Sequence, residues 1–564
     1  MRLVARYAPA AWAVALALLM LGPALGPGYV LTYDMVWVPD LALRSDFLGL
    51  GTALPRAVPS DAVVAVLDTV VPGMLLQKVV LLGALVLGGL GASRLVGRST
   101  VARLVAVSAY VWTPYVVERL WIGHWPLLLC WAVLPWLVVE GVRFRSDGRL
   151  GAALPFLLVV GSLSANAGLM SALVLLAVGL TRRGAVRMVL AVLAANAPWV
   201  VAGLLHLDSA TSSVAGSVFG VHTEGSLPAP LSALTLGGIW NAEVVPASRT
   251  GVVIPLVLLG VLVAAAVIGW PLARRRLGDR TTHALVALWG VGYGVAVLSW
   301  ATPGTVGGLA GHVPGGGLLR DGGRFLVLCA PLTAVLMAAG AERLAGHWTE
   351  RAPRIVVCVA GALLPLALMP DAAWGIGGEL RPATYPDDYA TARTALEDPP
   401  PGDLLVLPFT SYRAPDWNHG NKVLDPLPRY LQPDYVVNDQ LAVDDRLIAG
   451  EDPRVPAVLA ALRLESNEAR AVALGRLGIS VVVREADVPT TAEYDAQVAG
   501  DRIVGGSTVD VILIDAPVDV RDPRASWVVA MSAAWGAFLL LLLTGVWNVF
   551  RSLWSRMRTR RGAR

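Results

Sequence analysis

Lysine is almost missing from this sequence of 564 residues. Lys78 and Lys422 are the only two lysines among 45 basic residues; the remainder are arginine. Ala, Gly, Pro and Val are abundant too, the coding bias of a GC-rich genome, so arginine richness by itself marks no nucleic-acid partner. Cysteine is nearly as scarce. Cys130, Cys329 and Cys358 all fall inside apolar runs, which excludes a disulfide framework and a Cys-based metal site. Charge is sparse, at 15% of residues. No Walker loop, dinucleotide fingerprint, Ser nucleophile elbow or zinc motif occurs, and the two halves do not repeat. That argues against an ATP-driven pump, the corresponding hydrolases and a repeat-built secondary transporter.

What the chain does have is apolar length. It is 55% hydrophobic with a mean hydropathy of +0.62, values that a soluble domain rarely reaches. Crossing a bilayer takes about twenty apolar residues as a helix, and twelve runs of that order occur: 8–25, 73–92, 101–117, 124–142, 150–165, 167–181, 188–205, 251–270, 281–300, 323–341, 355–371 and 526–548. The fifth and sixth are short and separated only by Ser162 to Gly168. The first follows Arg2 and Arg6 and has no clear small-residue cleavage site, so it reads as a retained helix and not a signal peptide.

Charge asymmetry orients these runs. With the N-terminus cytoplasmic, the inner connections and the tail hold 24 of the 45 basic residues and only five acids, as the positive-inside rule requires. The tail from Arg551 to Arg564 has six arginines and no acid, which suits anchoring on anionic lipid. Four segments then face outward: 26–72, 206–250, 301–322 and 372–524. The last holds 25 acidic and 14 basic residues. Leu404–Leu407, Ile479–Val483 and Val511–Ile514 read as short buried strands and 455–474 as helical. The expected architecture is a polytopic α-helical membrane protein of about 12 spans. Residues 1–371 form the multi-span part, 372–524 a small extracytoplasmic α/β domain, and 525–564 the last helix and basic cytoplasmic tail.

Charges beside spans are costly to keep, so they are candidates for function. On the outer side they gather at Asp34 and Asp40 after the first span, at Glu118-Arg119-Leu120-Trp121-Ile122-Gly123-His124-Trp125 between the third and fourth, and at Arg320-Asp321-Gly322-Gly323-Arg324 before the tenth. Lys78, one turn inside the second span, needs an anionic partner or must snorkel outward. Plainer readings exist for each. Loop aspartates solvate loops, Trp112, Trp121 and Trp125 suit an interfacial aromatic belt, and the arginines can pair with Asp321 or lipid headgroups. His124 has no second histidine at metal-ligand spacing.

The early outer Asp, the many spans and the outer domain resemble the GT-C class of membrane glycosyltransferases. Gln77-Lys78, the Glu118 to Trp125 stretch and Leu319-Arg320-Asp321-Gly322-Gly323-Arg324-Phe325 look like the membrane part of actinobacterial arabinofuranosyltransferases of the AftD type and of YfhO-like proteins. Leu407-Pro408-Phe409 to Asp425-Pro426 and Leu477 to Val483 are similar to the YfhO-like outer domain. The resemblance implies a plasma-membrane hexosyl- or pentosyltransferase in cell-envelope biogenesis. A polyprenyl-phosphate sugar would be the donor, an envelope glycan or glycolipid the acceptor, with membrane lipids as partners and no nucleic acid. It further implies Asp34 and Asp40 as the catalytic acids, Lys78, Arg119, Arg320 and Arg324 on the donor phosphate, and Glu118, His124 and Asp321 in support. Asp416, Trp417, Asn418 and His419 would meet the acceptor glycan. The loop reads Tyr-Asp-Met where a metal-binding member would pair two acids, so a divalent cation (Mg or Mn) is left open. The alternative is a non-catalytic GT-C-like protein serving lipid-glycan transport or acting as an assembly scaffold.

Overall fold

The computed structural model describes residues 2–207, 218–313, 315–443, 446–448, 450, 452–486, 488 and 494–561. Ten helices among them are long and apolar enough to cross a membrane, and the chain is a multi-pass membrane protein. These include α1 (Arg2–Leu21), α2 (Gly73–Leu95), α3 (Thr100–Val111) with α4 (Pro114–Trp121), and α5 (Trp125–Asp147). After two shorter helices, α6 (Leu154–Val160) and α7 (Ala165–Gly179), come α8 (Ala185–Leu205), α9 (Val253–Leu277) and α10 (Asp279–Ala301). The 3-10 turn Gly322–Cys329 leads into α11 (Ala330–Ala345), followed by α12 (Arg351–Leu368).

Two of the twelve expected runs differ from full spans. The runs at 150–165 and 167–181 form helices of seven and fifteen residues, interrupted where Ser164 accepts a hydrogen bond from the Ala167 N–H at 3.3 Å and starts a new helix. The third span runs past 117. Thr113 caps a fresh helix by accepting from the Val116 N–H at 3.2 Å, Pro114 fits its first turn, and Glu118 and Arg119 are therefore helical residues and not part of a connecting turn. The turn is only Ile122-Gly123-His124.

Over their most apolar 18-residue stretch, 78% of the residues of Thr100–Trp121, Trp125–Asp147 and Gly322–Ala345 are buried within the protein, against 11% for Val253–Leu277 and Arg351–Leu368. The first three make the centre of the bundle, and all three bring polar residues to the same end of it. Trp112 and Trp125 are buried here too. The Trp112 indole donates to the Met369 carbonyl at 2.8 Å, so these rings pack inside the protein and do not form a lipid-facing belt.

Residues after α12 build a five-stranded mixed sheet: β1 (Asp403–Leu407), β2 (Tyr435–Val436), β3 (Ile479–Glu485), β4 (Gly500–Gly505) and β5 (Val509–Ile514). Spatial order is β4-β5-β3-β1-β2, with β1 parallel to β2 and β3 and the other pairs antiparallel. The unbroken apolar runs of β1 and β3 fit central strands covered on both faces. Helix α13 (Asp387–Ala395) packs on β4 and β5, while α14 (Val455–Leu462) and α15 (Asn467–Arg476) divide the expected 455–474 helix at the Ser466 cap. The chain ends in α16 (Ala525–Arg561).

This α/β unit is bolted to the loop after α1. Tyr29 pairs with Ala383, and Tyr33 exchanges backbone bonds with Lys422 and Leu424 at 2.7 and 2.8 Å. Tyr385 Oη donates to the Trp37 carbonyl at 2.7 Å, and Arg429 pairs with Asp61 at 2.5 Å. The α/β unit and the first loop thus share one end of the bundle.

Candidate functional site

At that end the backbone sets Asp34 before any side chain acts. Gly123 has φ of +89°, and a Cβ there would lie 2.2 Å from the Met35 nitrogen, so only glycine lets the first loop settle onto the turn. The Asp34 N–H donates to the Ile122 carbonyl at 3.1 Å and Thr32 Oγ1 to the Trp121 carbonyl at 2.9 Å. Gly123→Ala is expected to destabilise the protein by about 2–3 kcal/mol or more, combining a disfavoured φ with overpacking. Gly83, with open space around it, is the control; a thermal melt of detergent-purified protein that gives the two alanine variants equal losses would refute this packing role.

The Asp34 side chain, 43% exposed, is gripped at both oxygens. Oδ2 lies 3.2 Å from His124 Nε2, and Oδ1 accepts from Tyr412 Oη at 2.8 Å. His124 Nδ1 is 3.1 Å from Arg119 Nη1. A guanidinium can only donate, so Nδ1 is the acceptor and Nε2 carries the proton offered to Asp34. Arg119 then binds Asp321 through two nitrogens at 3.0 and 3.3 Å, and Arg324 Nε reaches the same carboxylate at 2.9 Å. Arg119 and Asp321 are 2% and 3% exposed, whereas Arg324 is 23% exposed. The Asn166 amide oxygen accepts from Arg324 Nη1 at 2.9 Å once its amide is oriented to satisfy both ends, and Tyr115 Oη donates to the Arg324 carbonyl at 2.9 Å. One hydrogen-bonded chain therefore runs Tyr412, Asp34, His124, Arg119, Asp321, Arg324.

Protonation follows from these contacts. Desolvation pushes the Asp34 carboxyl up, but the His124 and Tyr412 bonds together with the Arg324 charge outweigh it and hold it below the usual carboxylate range. Burial and the Arg324 cation push His124 down to about 4, so it is a neutral donor near pH 7. Asp321 is raised by burial, yet Arg119 and Arg324 more than reverse that and keep it ionised. A divalent cation has little to hold. Asp34 and Asp321 are each occupied by N–H or O–H donors, and no group of three or more His, Cys, Asp or Glu able to hold a metal occurs among the described residues. As the side chains stand, the donor set does not fit Mg or Mn.

Other candidates stand elsewhere. Asp40, with φ of +54°, pairs with Arg393 of α13 at 2.8 Å. Glu118 lies buried near Glu224 and Arg249, which pair with each other at 2.7 Å inside the protein. Lys78 is buried in α2 with Nζ 3.5 Å from Gln77 Oε1 and no carboxylate partner among the described residues. Arg320 lies over the Phe219 ring at 5.4 Å. Of the Asp416 to His419 cluster, Asn418 donates to the Leu31 carbonyl at 3.2 Å, His419 Nε2 contacts the Pro382 carbonyl at 3.0 Å, and Trp417 packs on Tyr385. Those three side chains join the α/β unit to its support and do not meet the Asp34 chain of bonds.

Tyr412, Asn166 and Tyr115 carry no signal in the sequence. Tyr412 is brought in because the Tyr412–Arg413 strand pairs with Val423–Leu424, which itself pairs with Tyr33.

A helical bundle with a polar cluster at one end, roofed by an α/β unit pinned to the first loop, defines a membrane protein of GT-C-like fold. Neither a protein-family model nor a curated protein matches the chain. The cryo-EM structure of the arabinofuranosyltransferase AftD from mycobacteria is similar, with a TM-score of 0.51 and 18% identity over 91% of this chain. The match covers 41% of that protein's length, so this chain corresponds to well under half of it. The shared property at this identity is the fold.

Proposed function

We propose that the protein is an integral-membrane glycosyltransferase that moves a sugar from a polyprenyl-phosphate donor to an envelope glycan or glycolipid at the outer membrane face. The observation that carries this reading is the closeness of a partly exposed carboxylate to a partly exposed guanidinium: Asp34 Oδ2 and Arg324 Nη2 lie 3.2 and 3.4 Å from the same His124 nitrogen. Displacement at an anomeric carbon needs this combination, a base on one side of the reacting carbon and a cation on the other.

In this reading the acceptor hydroxyl attacks the anomeric carbon as Asp34 takes its proton. The bond from that carbon to the donor phosphate oxygen breaks, and the polyprenyl phosphate leaves with its charge met by Arg324 and Arg320. Arg119, too buried to touch substrate, is a positioning residue that orients His124 and Asp321. The arginine distribution along the chain supports cytoplasmic termini and an outward-facing α/β unit.

Cells lacking the protein are expected to accumulate a polyprenyl-phosphate sugar and to carry a truncated envelope glycan. Lipid and glycan analysis showing both pools unchanged would remove the enzymatic reading in favour of a transport or scaffold role.

A further inference from the structure

A second polar feature lies at the other end of the bundle. Helix α5 has 23 residues, about 34 Å at 1.5 Å per residue, which separates its Asp147 end from His124 by the depth of a membrane. There a cavity of about 270 Å³ is lined by Asp147 and Gly148 together with Arg182, Arg183, Val186 and Arg187.

Arginines near a membrane surface are ordinary, so the question is whether these are already used. Arg143, Arg274 and Arg276, near the ends of other helices, are each committed to a carboxylate, Glu140 at 2.6 Å, Asp279 at 2.8 Å and Glu342 at 2.6 Å. Arg182 and Arg183 have no acidic partner among the described residues, and Arg187 reaches only the Gly148 carbonyl, at 3.5 Å. The one acid in the wall, Asp147, accepts the Arg149 backbone N–H at 2.9 Å. The same wall contains the start of α8, whose first turn has neither a side-chain cap nor an acidic residue, leaving backbone donors unanswered. Three guanidiniums and a helix start therefore converge on one concavity whose wall holds a single acid, Asp147.

What adjoins the cavity selects among anions. Val186, Leu190 and Leu193 are 71%, 59% and 58% exposed, and their i, i+4, i+7 spacing puts them on one face of α8. That face continues from the cavity along the bilayer, where acyl chains belong. We propose that the cavity binds the phosphate headgroup of an anionic phospholipid whose chains lie along Val186, Leu190 and Leu193. Bidentate guanidinium contacts hold the phosphate, and the site is independent of the chemistry at Asp34.

Native mass spectrometry of the full-length protein tests this, with phosphatidylglycerol and phosphatidylcholine as probes at equal concentration. Phosphatidylglycerol is expected to be retained preferentially, and the triple variant R182Q/R183Q/R187Q to lower its retention about tenfold or more. R143Q, which also removes a positive charge but from a paired residue, should leave retention unchanged, and R182K/R183K/R187K, which keeps the charge without the bidentate fork, should fall between the wild type and the glutamine triple. Should the glutamine triple fail to yield protein, Val186→Asp places a carboxylate in the cavity and is expected to give the same loss. Equal retention of the two lipids, or an equal loss in R143Q, overturns the proposal. Displacement of phosphatidylglycerol by millimolar inorganic phosphate would assign the cavity to a soluble phosphate and overturn the lipid assignment.

Discussion

Asp34→Asn is expected to lower sugar transfer from a polyprenyl-phosphate donor by about 10²–10⁴-fold, the usual contribution of a positioned general base, while leaving the protein folded. Asparagine keeps the shape: its carbonyl oxygen can accept from His124 while its amide donates to Tyr412 Oη, whose hydroxyl can turn to accept, so the loop has no reason to move. What is lost is the ability to take a proton. The pH profile checks the same assignment. The base must be ionised, and the contacts of Asp34 hold its carboxyl below the usual range. Transfer should therefore stay level as pH falls through the ordinary carboxylate region and decline only beneath it. Tyr412→Phe removes the 2.8 Å bond to Oδ1, which favours the ionised form, so the acid limb should move to higher pH. Full activity in Asp34→Asn, measured with membrane-extracted protein and a radiolabelled donor lipid, would end the proposed mechanism.

The second large effect is on stability. Arg119→Met removes a guanidinium that is 2% exposed and leaves Asp321, 3% exposed, with Arg324 as its remaining cation. Breaking a buried pair from one side costs about 3–5 kcal/mol, because the other charge stays desolvated. Arg324 still bonds Asp321, so the lower end of that range is expected. His124 also loses the donor at Nδ1 that fixes its tautomer. The double variant Arg119→Met with Asp321→Asn should recover part of the loss, since the stranded charge goes too. A thermal melt in which Arg119→Met behaves like Arg143→Met, whose side chain is 67% exposed, would show that the buried pair has no such role.

These two residues also show how far the sequence could be read. Asp34 was legible as a carboxylate just after a membrane-length run, and charge asymmetry put it on the same face as Arg119 and Arg324. Arg119 was legible as an unusual charge, but reading it in a connecting turn made it a ligand for substrate. The Thr113-Pro114 restart turns it inward, and burial makes it a support. Asp40 and the Asp416 to His419 cluster had the right chemistry for a site, yet Asp40 pairs with Arg393, and Trp417, Asn418 and His419 contact Tyr385, Leu31 and Pro382. Composition and spacing do not distinguish a polar residue that meets a ligand from one that meets another loop.

The sequence by itself determined the membrane class, ten of the helices, the buried strands of the α/β unit and the clustering of charge near three helix ends. Those features depend on local periodicity and on transfer free energies that are summed residue by residue. The tertiary structure alone decided that Tyr412 reaches Asp34 across 378 positions of chain, that His124 donates through Nε2, and that Lys78 stands apart. Such facts arise from strand register, a glycine that admits close backbone approach, and the pairing of Arg119 with Asp321 in the buried centre. Each depends on which segments meet, and no local window of the sequence contains that.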